Sequence, residues 1–178
     1  MGTDDMTEKG VPLSLEALGK MVAEVGADSG PGSVGWNGPG SDTQHVNAAV
    51  IAALRANQGE LSAELTAATG PLLILTTIGA KTGARRTIPL GYLEVDGRLL
   101  VVGSMAGSVR NPPWYYNIVA NPQVEVELAG EVFEAQARVL GGADRTQIFP
   151  KVCDKNPAYA TIQDSVERLI PVIELIRG

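Results

Sequence analysis

The spacing of apolar residues changes along this chain, and each change marks a new kind of element. From Ser14 to Val25, the residues Leu15, Leu18, Val22 and Val25 recur at helical spacing, with Ser14 placed to cap the start and Gly26 to end it. The following segment, GADSGPGSVGWNGPGSD, is dense in Gly, Pro and Ser and reads as a linker, with Trp36 as an anchor onto the main body. A second helix is expected over Asp42–Asn57. Ser41 and Gln44 suit a capping box, Val46, Val50, Ile51 and Leu54 form an apolar face, and Gly59 supplies the stop.

Beyond Leu72 the pattern becomes that of strands. Leu72–Ile78 is apolar and β-branched, as a strand buried on both faces should be. Thr87–Val95 and Arg98–Ser104 flank Asp96-Gly97, a strong hairpin signal. Pro112–Ala120 has helical character, with proline tolerated in its first turn and Asn121-Pro122 ending it. Gln123–Leu128 alternates, and Glu131–Leu140 follows across Ala129-Gly130. Short helices are expected near Ala143–Asp154 and Pro157–Glu167, and a last strand over Leu169–Ile176. Strands this close together cannot be joined by parallel crossovers. The expected fold is therefore mainly β (α+β): a small closed or split barrel of about six mostly antiparallel strands with peripheral helices. Residues 1–41 form an N-terminal tail, helix and linker, and 42–178 the barrel domain.

Composition narrows the function. A net charge of −6 argues against general binding to nucleic acid or anionic membrane, so the local cluster Lys81, Arg85 and Arg86 points to a specific anion. One cysteine, Cys153, allows no internal disulfide and no cysteine-based metal site, which suits a reducing cytoplasm. No apolar run is long enough to span a bilayer, and the acidic N-terminus lacks the apolar stretch of a signal peptide.

Several motifs fail on context. Gly30–Gly35 spells GxGxxG, but a helix precedes it where a dinucleotide site needs a strand. In GAKTGARR the Lys-Thr precedes its glycine and a strand follows, so it is not a nucleoside-triphosphate loop. His45 is the single histidine, which excludes a His-rich zinc site and leaves a hydrolase triad without support.

Two segments survive. The turn Gly79–Thr87 combines flexible glycines, backbone N–H groups and three cations, a good anion cradle. The segment Gly103–Asn117 combines small residues, Arg110, two prolines stiffening a helix start, and Trp114 and Tyr115, which can pack on a planar ring.

Together, LTTIGAKTGARRTIPLGYLEVDGRLLVVGS and NPPWYYNIVANPQVEVEL resemble the deazaflavin-dependent nitroreductase family, the A-type flavin/deazaflavin oxidoreductases common in actinobacteria. The likeness extends over residues 46–176 or so. It implies a split β-barrel similar to flavin-binding pyridoxamine phosphate oxidases, and reduced coenzyme F420, an 8-hydroxy-5-deazaflavin with a phosphate and an oligoglutamate tail. By position, the resemblance places Lys81 and Arg86 on the phosphate or tail, with Arg85 a weaker candidate. Thr87, Pro89 and Leu90 would line the ring. Ser104, Met105, Gly107, Arg110, Asn111, Trp114 and Tyr115 would form the cofactor loop, supported by Asn117. The implied reaction is hydride transfer from ring carbon C5 to an electron-poor acceptor such as a quinone or enone, with Tyr159 or solvent giving the proton. Two departures stand out. Tyr116 replaces the histidine of W-Y-H-N, and Ile162 replaces the second tyrosine of P-D-Y-A-x-Y-Q, which argues against nitro-drug reduction. A non-catalytic F420 carrier and an FMN-dependent oxidoreductase are the rival readings. The expected partner is a small electron-poor molecule, without metal, nucleic acid or membrane; a homodimer is the expected form if the chain self-associates.

Overall fold

A computed structural model describes residues 41–178 of the chain. The helix expected at 14–25, the linker and Trp36 lie outside the described residues, as do the side chains of the Ser41 end of the capping box. In chain order the elements are α1 (Ser41–Ala56), α2 (Ala63–Thr69), β1 (Leu72–Ile78), β2 (Arg85–Val95), β3 (Arg98–Val102), a 3₁₀ turn (Met105–Gly107), α3 (Pro113–Ala120), β4 (Gln123–Leu128), β5 (Glu131–Val139), α4 (Gly142–Lys155), α5 (Ala158–Asp164) and β6 (Val172–Arg177).

Alternation along the strands sorts their side chains between two environments. Leu73 and Leu75 of β1, Ile88 and Leu90 of β2, Val101 of β3, Val124 and Val126 of β4, Ala135 and Ala137 of β5, and Ile173 and Leu175 of β6 form one buried cluster. All six strands contribute to it, so it is the barrel lumen. Trp114 and Ile118 of α3 complete that cluster. The opposite parity packs outward. Leu72 and Ile74 join Val46, Val50, Leu54 and Leu65 beneath α1 and α2. Leu100, Val102 and Val172 join Ile148, Val152 and Tyr159 beneath α4 and α5.

The strands close in the order β1-β2-β3-β6-β5-β4, and β4 pairs back onto β1. Every pairing is antiparallel. Two-residue turns set the register of two hairpins. Val95 pairs with Arg98 across Asp96 (φ 52°) and Gly97 (φ 74°), the left-handed pair that a type I′ turn requires. Leu128 pairs with Glu131 across Ala129 and Gly130 in the same manner.

Several elements differ from expectation. Strand β2 begins at Arg85 rather than Thr87, so Arg85 and Arg86 stand on the strand and not in the turn. Helix α2 was not expected; Ser62 caps it by accepting from the Leu65 amide. Strand β3 ends at Val102, where the Gly103 amide bonds the Pro171 carbonyl at 2.9 Å. Strand β6 begins only at Val172, because Pro171 has no N–H to donate and the Ile170 amide bonds the Gln163 side chain instead.

A charged network ties β3, β5, β6 and α4 together on the outside. Arg98 donates two bonds of 3.0 Å to Glu174, and Arg138 donates two, of 2.7 and 3.2 Å; Arg98 also reaches Asp144 of α4 at 3.3 Å. The bonds from Arg98 and then Arg138 hold the Glu174 carboxyl below the usual glutamate range. A depressed folded-state pKa stabilises the fold above the unfolded glutamate pKa, and that contribution is lost as pH falls through the folded value. Glu174→Gln is therefore expected to lower stability at neutral pH and to flatten the acid side of the stability profile, read by denaturant melts across pH. Leu75, fully buried in the lumen, should cost about 2–5 kcal/mol when truncated to Ala. Exposed Val132 should cost less than about 0.5 kcal/mol, measured in the same urea titrations.

Candidate active site

Where β1 hands over to β2, the chain closes a tight turn. The Gly79 amide bonds the Ala84 carbonyl and the Gly83 amide bonds the Gly79 carbonyl, each at 2.8 Å. Gly83 sits at φ 68°, where a Cβ would be strained. Helix α3 braces this turn from the side. Asn117 donates from Nδ2 to Thr77 Oγ1 at 3.0 Å and accepts from the Ala80 amide at 3.0 Å. Thr76 and Thr87 share a hydroxyl hydrogen bond of 2.9 Å one step away. Turn and helix are thereby held in fixed relation.

Between them opens a cleft of about 1100 Å³. That is at the upper end of the range for small-molecule and cofactor sites, roughly 300–1,000 Å³. It has three walls. The β1–β2 turn and the start of β2 supply Thr77, Gly79–Thr82 and Arg85–Ile88. The segment after β3 and helix α3 supplies Met105, Arg110, Asn111, Pro113, Trp114, Tyr116 and Asn117. Helix α1 supplies Gln44, Asn47, Ala48 and Ile51. Lys81, Arg85, Arg86 and Arg110 line it, with no Asp or Glu among the described residues of the lining. Arg85 is also paired to Glu125 at 2.6 Å. The cleft thus carries positive charge in a protein that is acidic overall.

Nine of the residues singled out from the sequence border this cleft: Lys81, Arg85, Arg86, Thr87, Met105, Arg110, Asn111, Trp114 and Asn117. Trp114 does so while only 3 % exposed, one side of it belonging to the barrel core. Five do not border it. Pro89 and Leu90 lie beyond the stretch Arg85–Ile88 that borders the cleft: Pro89 is buried in β2, and Leu90 belongs to the lumen cluster. Ser104 is buried, and its carbonyl accepts from Arg168 at 2.7 Å. Gly107 backs onto α5, where a Cβ would lie 3.1 Å from Ser165 Oγ. Tyr115 packs against the barrel core.

Tyr159, expected over the acceptor, is instead part of the outer cluster beneath α4 and α5 and is not among the residues lining the cleft. Burial pushes its hydroxyl up to about 12. The reason is packing: α5 lies along the outward side chains of β3 and β6, which draw the phenol ring into their apolar layer.

Two parts of the cleft wall were not assigned to the site from the sequence: Tyr116, noted only as a departure from W-Y-H-N, and helix α1. Tyr116, about half exposed, borders the cleft and meets Tyr115 edge-on at 5.5 Å. The α1 wall was also missed, although Gln44, Asn47, Ala48 and Ile51 recur at helical spacing beside the apolar face. No group of metal-ligating side chains occurs among the described residues, and no described helix is long and apolar enough to cross a membrane.

A closed six-stranded antiparallel barrel with a cationic, aromatic-walled cleft beside its first hairpin is the frame of a split-barrel reductase. Comparison with known proteins carries this further. The family model described as F420H(2)-dependent quinone reductase matches residues 47–176. The F420H(2)-dependent quinone reductase Rv1261c of Mycobacterium tuberculosis (strain ATCC 25618 / H37Rv) is 36% identical over 110 residues, covering 60% of this chain and 74% of that protein. The putative F420H(2)-dependent quinone reductase Rv3178 of the same organism is 30% identical, covering 59% and 88%. Among solved structures, an F420-H2 dependent reductase (FDR-A) superposes with a TM-score of 0.54 at 36% identity, over 60% of this chain and 94% of that one. A second, described as a domain-swapped dimer, gives a TM-score of 0.55 at 34% identity, over 67% and 90%. The chain belongs to the F420H(2)-dependent quinone reductase family. That is a family of oxidoreductases, and its cofactor is coenzyme F420.

The Asn117 bridge generates a direct test. Asn117→Leu leaves the buried Thr77 hydroxyl with only its long bond to the Arg86 carbonyl, 3.5 Å, and frees the Ala80 amide. A loss of about 1–3 kcal/mol is expected, together with faster hydrogen exchange at Ala80, read by NMR or mass spectrometry.

Proposed function

We propose that this cleft binds reduced F420 and that the protein uses it to reduce a small electron-poor acceptor, a quinone or an activated C=C. The observation that carries this reading is the cleft's lining: four cationic side chains beside a buried indole, with no acid among the described lining residues. Such a lining fits a ligand with a planar ring and an anionic tail. When bound, the cofactor supplies the hydride that the acceptor takes up.

The chain's own residues do the rest. Lys81, Arg86 and Arg110 bind the anionic groups, with Arg85 contributing less because Glu125 already shares its charge. Thr87, fixed by Thr76, and Trp114, fixed by the barrel core, form rigid faces against which a flat ring is oriented. Asn117 keeps those faces at a constant separation, which is what an aligned transfer geometry demands. Met105 and Asn111 border the same space, while Pro89, Leu90, Ser104, Gly107 and Tyr115 act from behind it as packing and backbone supports. The acceptor's proton arrives from solvent across the open cleft, with Tyr159 a packing residue of the α5 layer.

Residues 42–178 form the catalytic unit in this reading, with 1–41 as an appendage to it. We place the enzyme in the cytoplasm and leave its assembly as a homodimer to be tested by light scattering.

The deciding experiment is a fluorescence titration of the purified chain with F420 and, separately, with FMN. Micromolar or tighter F420 binding is expected, weaker FMN binding, and at least a tenfold loss on Lys81→Ala with Arg86→Ala. Absence of F420 binding at tens of micromolar would overturn the reading. Oxidation of bound F420H2 by a quinone and enone panel then separates an enzyme from a carrier. Tyr159→Phe should keep kcat within about twofold; a tenfold drop would restore it as the proton donor.

A further inference from the structure

The segment joining β3 to α3 adopts an expensive backbone. Met105, Ala106 and Gly107 lie in succession at φ 45°, 50° and 79°, two of them without the freedom of glycine. Consecutive left-handed residues persist only where their surroundings fix them. One side chain supplies most of that fixing. Arg168 donates from Nε to the Ser108 carbonyl at 2.8 Å and from Nη2 to the Ser104 carbonyl at 2.7 Å. From Nη1 it donates to the Gly103 carbonyl at 3.2 Å and to Asn111 Oδ1 at 2.7 Å. The guanidinium thus brackets the left-handed turn on both sides and reaches the start of α3. A planar fork with five N–H donors can do this; an ammonium, with three donors at a single point, cannot.

Arg168 is itself braced. Gln163 of α5 donates to the Arg168 carbonyl at 2.8 Å, and its Oε1 accepts from the Ile170 amide and from Arg145, each at 2.9 Å. Arg145 in turn donates to the Ile170 carbonyl at 3.0 Å. The short stretch between α5 and β6 is therefore held by side chains on both of its edges, and it delivers a rigid arginine to the segment that carries Met105, Arg110 and Asn111 into the cleft.

We infer that Arg168 is the positioning residue of the cleft loop: it fixes residues 103–111 in the conformation that presents Met105, Arg110 and Asn111 to the cofactor, and α5 sets that loop through Gln163. The inference rests on the F420 reading for its ligand but not for its geometry. Arg168 is not on the cleft surface, so its effect on binding runs entirely through the loop. Helix α5 and the cofactor loop then behave as one mechanical unit, and changes in α5 alter cofactor affinity without touching the cofactor.

The test uses Arg168→Lys and Arg168→Ala in the full chain, each read three ways: thermal melting, hydrogen exchange of residues 103–111, and F420 fluorescence titration. For Arg168→Lys we expect a cooperative melt, at least tenfold faster exchange confined to the loop, and at least tenfold weaker F420 binding. For Arg168→Ala, millimolar methylguanidinium should recover part of both losses, which a general loss of stability would not show. A folded Arg168→Lys with wild-type loop exchange and wild-type affinity overturns the inference. If the unmodified chain does not bind F420, the functional reading fails, and loop exchange alone still decides the positioning role. Should neither Arg168 variant fold, Gln163→Glu keeps an acceptor for Ile170 and Arg145, adds a charge that pairs with Arg145, and replaces the donor to the Arg168 carbonyl by a carboxylate oxygen that cannot bond it. A few-fold rise in loop exchange with a parallel fall in affinity is then expected, and no change in either rejects the proposal.

Discussion

Strand β1 is the constraint from which the rest of the structure follows. It pairs with β2 on one edge and β4 on the other, and so closes the barrel. Its odd-numbered leucines face the lumen while Leu72 and Ile74 face α1 and α2, so both faces are removed from water. Burial of each such side chain contributes about 1.5–3 kcal/mol, and a register slip of one residue would exchange the two faces wholesale. At its far end the strand stops being apolar. Thr76 and Thr77 turn hydroxyls toward Thr87 and Asn117, and those bonds fix where the cationic turn must stand. The strand that anchors the core also sets the coordinates of the site.

The charge distribution follows a related logic. Acidic residues outnumber basic ones, yet the charged side chains among the described residues of the cleft lining are all cations. Elsewhere several arginines are matched with carboxylates: Arg55 with Glu127, Arg98 and Arg138 with Glu174, Arg177 with Glu131. The exposed pair of Arg177 and Glu131 contributes little to stability, the largely buried Glu174 carboxylate contributes more, and all of these pairs offset positive charge outside the cleft. An anionic cofactor is then favoured there over the acidic surface around it.

Precision at the site comes from elements that do not touch the reacting groups. Helix α3 stops the lumen with Trp114 and Ile118 and simultaneously carries Tyr116 and Asn117 outward. Its rotation is fixed by core packing, so the polar residues on its other side have no freedom of their own. The loop before it is fixed from the opposite direction, by Arg168 and the α5–β6 stretch. A wall built from a helix locked by packing and a turn locked by hydrogen bonds is the kind of pre-formed geometry that cofactor chemistry requires.

By itself the sequence determined the strand order along the chain, the I′ turn at Asp96-Gly97, the antiparallel character, and the pairing of a cationic turn with an aromatic loop. Each of these is a local property: period, turn chemistry and residue type are written within a few neighbours. What it left open was decided by contacts between distant segments. Leu90 joins the lumen cluster and Tyr115 packs against it because closure of the barrel brings six strands and α3 together there. Tyr159 left the cleft because α5 found its apolar partners on the outer faces of β3 and β6. Helix α1 became a wall of the site, and Arg168 a brace for its loop, across sequence separations of about 60 residues. Hydrophobic burial has no direction, so only the assembled barrel could say which face of each element would meet the cleft.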